Sequence, residues 1–503
     1  MSARLASSFA SPPPPPRPDE RKSRTSTSTR TSAIVVVLVG GVVGITSSFA
    51  QAKPRFDELQ SAVSRATDKE VSWIRSGEEQ AQADKAVRAL LVRPLTANSA
   101  AQIALLNNRT LQSRFAELGI SYADYIEAAL PANPSFRASW RFPDTPPSAT
   151  NIEYSIAQDI LSLLLIPLKK QIASRELEIT KMRIASDVLG LIADTKSAFY
   201  SLQAQQQLMK RLQLIVQTNE ASAEVAKRQH DAGNITDLDL ANQQALYSQS
   251  RVDAAQVIAQ TRTGREELNR LMGVWGADTN WKISDELPRI PAEEISFAHL
   301  ESQAIANRVD IAAARQRANS FGYALALKQK TRFFPIGVNL GVDTEKDSGG
   351  TRLTGPTLDV QLPIFNFGQG TIARLQAQYE QARRDLEAAA VNARSEVREI
   401  RDIIIGDRDL AQYYEKVLLP QRLLIVNQTQ LQYNAMQVSP LELLMAKERE
   451  LNAERAMVNA QRDYWIARTE LERALHGGSS ASRRSSYSSS SSSPSSVSPN
   501  TGH

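Results

Sequence analysis

From Leu168 to Glu286 the chain contains no proline, and apolar residues recur through the first half of that span on one spacing of fours and threes. The positions are Ile184, Val188, Leu191, Ala198, Leu202, Met209, Leu212, Val216, Ala223 and Ala226. Such a pattern lays a narrow seam along a helix, as in coiled coils, rather than the wider stripe of a globular helix. At about 1.5 Å per residue, a helix from about Ile160 to Gln229 is roughly 100 Å long. The low aromatic share of 6%, with abundant Ala, Leu, Gln, Glu and Arg, also leans towards long helices.

The chain also repeats itself, residues 95–280 being followed by a similar plan over 295–477, after a linker at 281–297. Each half opens on a helix carrying an Asn-Arg pair, Asn108-Arg109 or Asn307-Arg308. That helix runs into prolines, Pro131 and Pro134 or Pro335, which end it and start extended structure. Each half closes on a helix ending at Gly273 or Gly477, where glycine suits a left-handed cap. Helices over about 98–130 and 237–272 together match the long one in length, and 298–333 with 440–475 match 369–434, which Pro420 kinks. Paired this way, the helices make a double-stranded rod.

Between them lie segments of period two. Phe136, Ala138, Trp140 and Phe142 alternate with Arg137, Ser139 and Arg141, and Ile152, Tyr154 and Ile156 alternate with Asn151, Glu153 and Ser155. In the second half Ile336, Val338, Leu340 and Val342 alternate with Gly337, Asn339, Gly341 and Asp343, and Leu358, Val360, Leu362 and Ile364 frame Asp359 and Gln361. The alternation predicts two hairpins, with strands over about 134–142, 151–160, 335–343 and 356–365. A soluble hairpin alternates too. Strand length, charges confined to one face and isolation between very long helices favour strands that span an outer membrane, apolar side to lipid. Four strands cannot close a barrel, and in lipid every edge must be paired, so several subunits must contribute. The fold class is mainly α with a small β part.

The ends differ from the body. A basic Pro/Ser/Thr-rich leader precedes an apolar run from Ile34 to Ile45 and small residues up to Ala52, a signal-peptide pattern with cleavage expected after Ala50 or Ala52. Much of the net charge of +5 sits in that leader, so nucleic acid is not an expected partner. Residues 53–94 form an extension with helical character, expected outside the rod. Residues 478–503, mostly Ser, cannot bury enough apolar surface to offset their ordering entropy and are expected to be disordered.

With no cysteine, disulfides, thiolate zinc sites, a cysteine nucleophile and a lipidated cysteine are excluded. His230, His299, His476 and His503 lack ligand spacing and read as surface or cap residues. No phosphate loop, hydrolase elbow or paired-carboxylate motif occurs, so neither an enzyme nor a cofactor is expected.

In these features the chain resembles the TolC-like outer-membrane efflux proteins over about residues 90–477. The matching segments are Ala129-Leu-Pro-Ala-Asn-Pro134, Gly355-Pro-Thr-Leu-Asp-Val-Gln-Leu-Pro-Ile-Phe-Asn-Phe-Gly368, Ala232-Gly-Asn-Ile-Thr-Asp-Leu-Asp239 and Val417-Leu-Leu-Pro420, in the family's order and spacing. The resemblance implies a homotrimer with a twelve-stranded barrel in the outer membrane and a helical tunnel across the periplasm. It implies a passive exit duct that receives substrates from an inner-membrane pump through a periplasmic adaptor. It further implies that the helix turns far from the barrel form the pump-side mouth, with Gly233, Asn234, Ser439 and Pro440 in the turns and Asp239, Glu442 and Asp237 as entrance acids. In three copies such acids would favour cations, although carboxylates also suit helix N-termini in their own right. Where the family often has a second acid, this chain has Asn242 and Met445. Arg137, Arg141, Asn339, Asp343, Asp359 and Gln361 are expected to line the barrel lumen. The alternative is a periplasmic coiled-coil adaptor or structural protein, which has one helical hairpin rather than two repeats.

Overall fold

The computed structural model describes residues 56–477, apart from 68, 143, 145–149, 292–296, 335, 336 and 348. The expected signal peptide, the Ser-rich tail, Pro335 and most of the first hairpin turn lie outside the described residues.

Two helices of the extension, α1 (Phe56–Thr67) and α2 (Gly77–Leu91), precede the repeats. The first repeat then runs α3 (Ala97–Asn107), α4 (Arg109–Ala129), β1 (Ser135–Arg141), β2 (Asn151–Asp159), α5 (Ile160–Leu164), α6 (Ile166–Asp231) and α7 (Asp237–Met272). The second runs α8 (Leu300–Asn307), α9 (Val309–Lys330), β3 (Gly337–Lys346), β4 (Arg352–Gln361), α10 (Gln369–Tyr413), a π turn (Tyr414–Leu418), α11 (Leu419–Asn434) and α12 (Pro440–His476). Among the described residues no helix is long and apolar enough to cross a membrane. The described residues are mainly helical, with four strands.

The interrupted helix before Pro420 contains a π turn that ends two residues ahead of the proline. Proline lacks an N–H and crowds the preceding turn, so the ladder widens there instead of ending. Two breaks carry no such marker. The first expected helix is cut at Asn108, which adopts an extended φ/ψ and caps α4 by accepting from the Leu111 N–H at 2.9 Å. In the second repeat the break falls at Arg308, with nearly the same backbone angles. The structural equivalents are thus Asn108 and Arg308, so the two Asn-Arg pairs correspond with an offset of one residue. Both side chains reach the end of the repeat's closing helix: Asn108 Nδ2 donates to the Leu271 carbonyl at 2.8 Å, and Arg308 Nη1 to that of Ala474 at 3.3 Å.

The expected narrow seam on α6 holds for only half its length. From Leu177 to Leu208 the helix is buried on most sides, because α1, α3, α4, α9 and α12 surround it with α7. Beyond Leu208 the buried positions reduce to Leu212, Ile215, Asn219, Ser222 and Ala226, strict steps of three and four. On α7 the facing positions Gln243, Ser250 and Val257 repeat every seventh residue. The seam is therefore real near the turn, but in a register that includes Ile215, Asn219 and Ser222, and it is partly polar. Ser222 Oγ lies 3.0 Å from Gln243 Oε1.

The apolar core forms a collar around the middle of the rod. Leu59, Val63 and Val71 of the extension pack with Leu105, Phe115, Leu118, Ile184 and Val188. Val87 and Leu95 join Ile103, Phe199, Leu202, Leu268 and Trp281. The extension is thus part of the collar core. Leu451 and Val458 of α12 meet Leu208, Leu212 and Ile215 of α6, which joins the two repeats.

The closing glycines differ. Gly273 is left-handed (φ 67°), as a C-cap requires. Gly477 is not (φ −91°), and the expectation of a second left-handed cap is wrong. There the requirement is space, since a Cβ on Gly477 would lie 3.3 Å from Leu189 Cβ.

Candidate functional site

Two regions carry the residues singled out in the sequence, the sheet and the helix turns. The four strands make one antiparallel sheet in the order β1-β2-β3-β4, so the two hairpins are joined through β2 and β3. The second hairpin is tighter than its apolar alternation suggests. Pairing continues past Asp343 through Thr344, Glu345 and Lys346, opposite Thr354, Leu353 and Arg352, where Leu353 is the one apolar residue and no alternation signals a strand. Pro356 lies within β4, the last strand of the chain's own sheet, where a missing N–H is tolerated.

Directly opposed residues of antiparallel strands share a face. Registers such as Arg137↔Ser155, Ser155↔Asp343 and Asp343↔Gly355 place every odd-numbered strand residue on one side. Arg137, Arg141, Asn339, Asp343, Asp359 and Gln361 all lie there, with Ser139, Asn151 and Glu153. Glu153 accepts from Ser139 Oγ at 3.1 Å and pairs with Arg141 at 3.3 Å. Gly341 lies where a Cβ would stand 2.6 Å from the Ile156 carbonyl oxygen.

The even-numbered face carries Phe136, Trp140, Tyr154, Ile156, Leu340, Val342 and Leu358, each at least 43% exposed in the single chain. Tyr154 stacks beside Phe136 at 6.4 Å and meets Trp140 edge-on at 6.2 Å. A charge-free band this exposed does not fit contact with water alone.

At the other end of the rod the two helix turns are built alike. After α6, Gly233 is left-handed (φ 75°), its N–H donates to the His230 carbonyl, and that of Asn234 donates to Gln229. After α11, Met436 takes the same conformation (φ 59°), with the N–H groups of Met436 and Gln437 donating to Tyr433 and Gln432. Thr236 then caps α7, and Ser439, followed by Pro440, caps α12. Asp239 and Glu442 occupy equivalent third positions.

Their side chains differ. The Asp239 carboxylate is turned back on its cap, accepting from the Thr236 hydroxyl at 2.7 Å and the Thr236 N–H at 3.2 Å. Glu442 donates its N–H to Ser439 Oγ at 3.3 Å and is exposed. Asp237 projects into solvent, 2.6 Å from Nε2 of His230. Sequence reasoning missed that pair, and its only signal is a histidine in the last turn of one helix with an aspartate at the start of the next. Further from the turns, Arg455 of α12 meets Asp253 of α7 at 3.4 Å, and Arg211 of α6 meets Glu454 at 3.2 Å. Among the described residues no cluster of His, Asp and Glu could hold a metal ion.

The profile of the outer membrane efflux protein family matches residues 169–274 and 300–500. Among solved structures, CusC superposes with a TM-score of 0.63 at 16% identity, covering 76% of this chain and 92% of its own. The outer membrane protein VceC of Vibrio cholerae gives 0.62 at 18% identity, covering 76% and 96%. The CmeC outer membrane channel of Campylobacter jejuni gives 0.61 at 16%, covering 78% and 88%. No curated protein sequence matches the chain. Repeat, sheet and profile agree, and the chain belongs to the outer membrane efflux protein family.

Proposed function

We propose that the protein is the outer-membrane exit duct of a tripartite export system, working as a homotrimer with an inner-membrane pump and a periplasmic adaptor. The observation that carries this reading is the sheet. It has one polar and one apolar exposed face, and among the described residues of one chain its two outer strands, β1 and β4, have no neighbours beyond them. A lipid environment requires those edges to be paired, and three copies supply twelve strands. The odd-numbered residues, among them Arg137, Asp343 and Asp359, then face a wet lumen, while the helical rod runs on through the periplasm.

The turns at Gly233-Asn234 and Ser439-Pro440 form the end that meets the pump. Three copies of the exposed Glu442 make a ring of negative potential there that favours cations. Asp239 contributes less, because its carboxylate is occupied by Thr236.

The test is reconstitution. A heat-sensitive trimer recovered from outer-membrane fractions, with ion conductance in planar bilayers, is the expected result. Recovery as a soluble periplasmic monomer would refute it.

A further inference from the structure

The lower rim of the sheet, where strands meet helices, is both aromatic and basic. Phe333, Phe334 and Phe365 are 65%, 62% and 90% exposed, and they continue the apolar band through Leu362 and Ile364. Phe333 packs edge-on against Phe367 at 6.0 Å, and the Arg332 guanidinium lies over the Phe333 ring at 4.4 Å. The Lys328 side chain lies over Gly368, with Nζ 3.4 Å from where a Cβ would stand. Lys330 and Arg374 are exposed on the adjoining helix turns.

No Asp or Glu occurs between Asp310 and Asp343, or between Asp359 and Glu380. Among the described residues Lys328, Lys330, Arg332 and Arg374 form no ion pair. This is unlike much of the rod, where cations such as Lys181, Lys196 and Arg455 have carboxylate partners. At the opposite rim Lys346 and Arg352 are offset by Glu345 and Asp347. Positive charge is thus concentrated at one rim of the apolar band.

Aromatic rings belong at the level of lipid headgroups, and cations beside them attract anionic lipid phosphates. We propose that this rim, built from Phe333, Phe367, Lys328, Lys330, Arg332 and Arg374, binds the phosphate headgroups of anionic phospholipids in the leaflet that faces the helices. The inference rests on the reading of the sheet as membrane-embedded. Lys169 and Lys170 are also exposed at the start of α6 in the first repeat, where Glu127 and Asp159 add negative charge.

The test uses the full protein in detergent, titrated with phosphatidylglycerol or with phosphatidylcholine of the same chains and read by native mass spectrometry. The protein is expected to retain phosphatidylglycerol at least about tenfold better. The quadruple variant Lys328→Gln/Lys330→Gln/Arg332→Gln/Arg374→Gln is expected to lose that preference, whereas Lys346→Gln/Arg352→Gln at the other rim keeps it. If the quadruple variant assembles poorly, Arg332→Gln alone is expected to lose several-fold.

Equal retention of both lipids by the unmodified protein overturns the inference, as does an unchanged preference in both rim variants. A loss of adaptor capture without a change in lipid retention also overturns it, in favour of a protein partner. A protein that conducts in bilayers yet shows no lipid preference defeats this inference alone. One that enters no bilayer defeats the duct as well.

Discussion

The guanidinium of Arg308 lies 2.8 Å from Glu396 Oε2, in an ion pair where the arginine side chain is 1% and the glutamate 9% exposed. Burial alone would pull the guanidinium down, but the hydrogen bonds it donates to Asp310 and Glu396 outweigh it and hold the group charged. In the first repeat the neutral Asn108 does the corresponding work, tying the helix break to the closing helix.

Removing one partner of a buried pair strands the other. Glu396→Leu is expected to cost about 3 kcal/mol, near the low end because Asp310 remains. Chemical denaturation of the purified protein would measure it. A loss below about 1 kcal/mol would mean that Asp310 suffices alone.

Gly273→Ala places a Cβ 2.6 Å from the Asn107 carbonyl oxygen at a positive φ, against backbone that cannot swing away. The expected loss exceeds about 2 kcal/mol. Gly233→Ala, also left-handed but in open space, is expected to lose only about 1 kcal/mol. Thermal melts of the two variants should differ accordingly, and equal melts would count against the packing at Asn107.

Val342 sits mid-strand on the apolar face, and Ser155, opposite Asp343, sits on the polar one. If the even face meets lipid, Val342→Arg is expected to cost about 2–4 kcal/mol and block assembly in the membrane, while Ser155→Arg is tolerated. Heat-modifiable mobility of outer-membrane fractions distinguishes them. The reverse result would exchange the roles of the two faces.

Asp407 on α10 has its carboxyl pushed up to about 6 by burial and by nearby Asp463, with Arg462 partly opposing. A raised pKa means that the folded chain holds this proton more tightly than the unfolded one. The contribution is full below the ordinary carboxylate value and is lost as pH rises through about 6. The melting temperature of the unmodified protein, relative to Asp407→Asn, should therefore fall between about pH 4 and about pH 6 and level off above that. A constant difference would remove Asp407 from the account.

For the turns, Glu442→Gln is expected to lower the cation-to-anion permeability ratio of reconstituted channels, and Asp239→Asn to change it less. A larger effect at Asp239 would show that the carboxylate leaves its cap.

The existence of the strands and the faces of the sheet were legible because side-chain period alone sets them, and the odd and even residues sort as the alternation predicts. The bounds of β4 were not, since it spans Arg352–Gln361 and leaves Leu362 and Ile364, expected within it, beyond its end. The extra pairs at Thr344 to Lys346 were not, since Leu353 is their one apolar residue and it stands on the otherwise polar face. The breaks at Asn108 and Arg308 were hidden because neither proline nor glycine marks them. They arise from tertiary contacts to Leu271, Ala474 and Glu396 that no local pattern records. Gly233 announces its left-handed turn, whereas Met436, in the same conformation, does not. The seam register slipped because Asn219 and Ser222 occupy buried positions that a search for apolar residues passes over.

Because β2 already pairs with β3, the chain presents a pre-registered sheet with two outer edges. Two free hairpins would present four edges, with an independent choice of alignment at each. In any barrel made of identical copies, one alignment, β4 of one copy against β1 of the next, then decides shear and diameter together. A one-residue slip at that seam would set the even-numbered residues of one copy against the odd-numbered residues of the next, so the two faces could no longer match around the ring. In such a barrel, selection on geometry would concentrate on the outward hydrogen-bonding rims of Ser135–Arg141 and Arg352–Gln361.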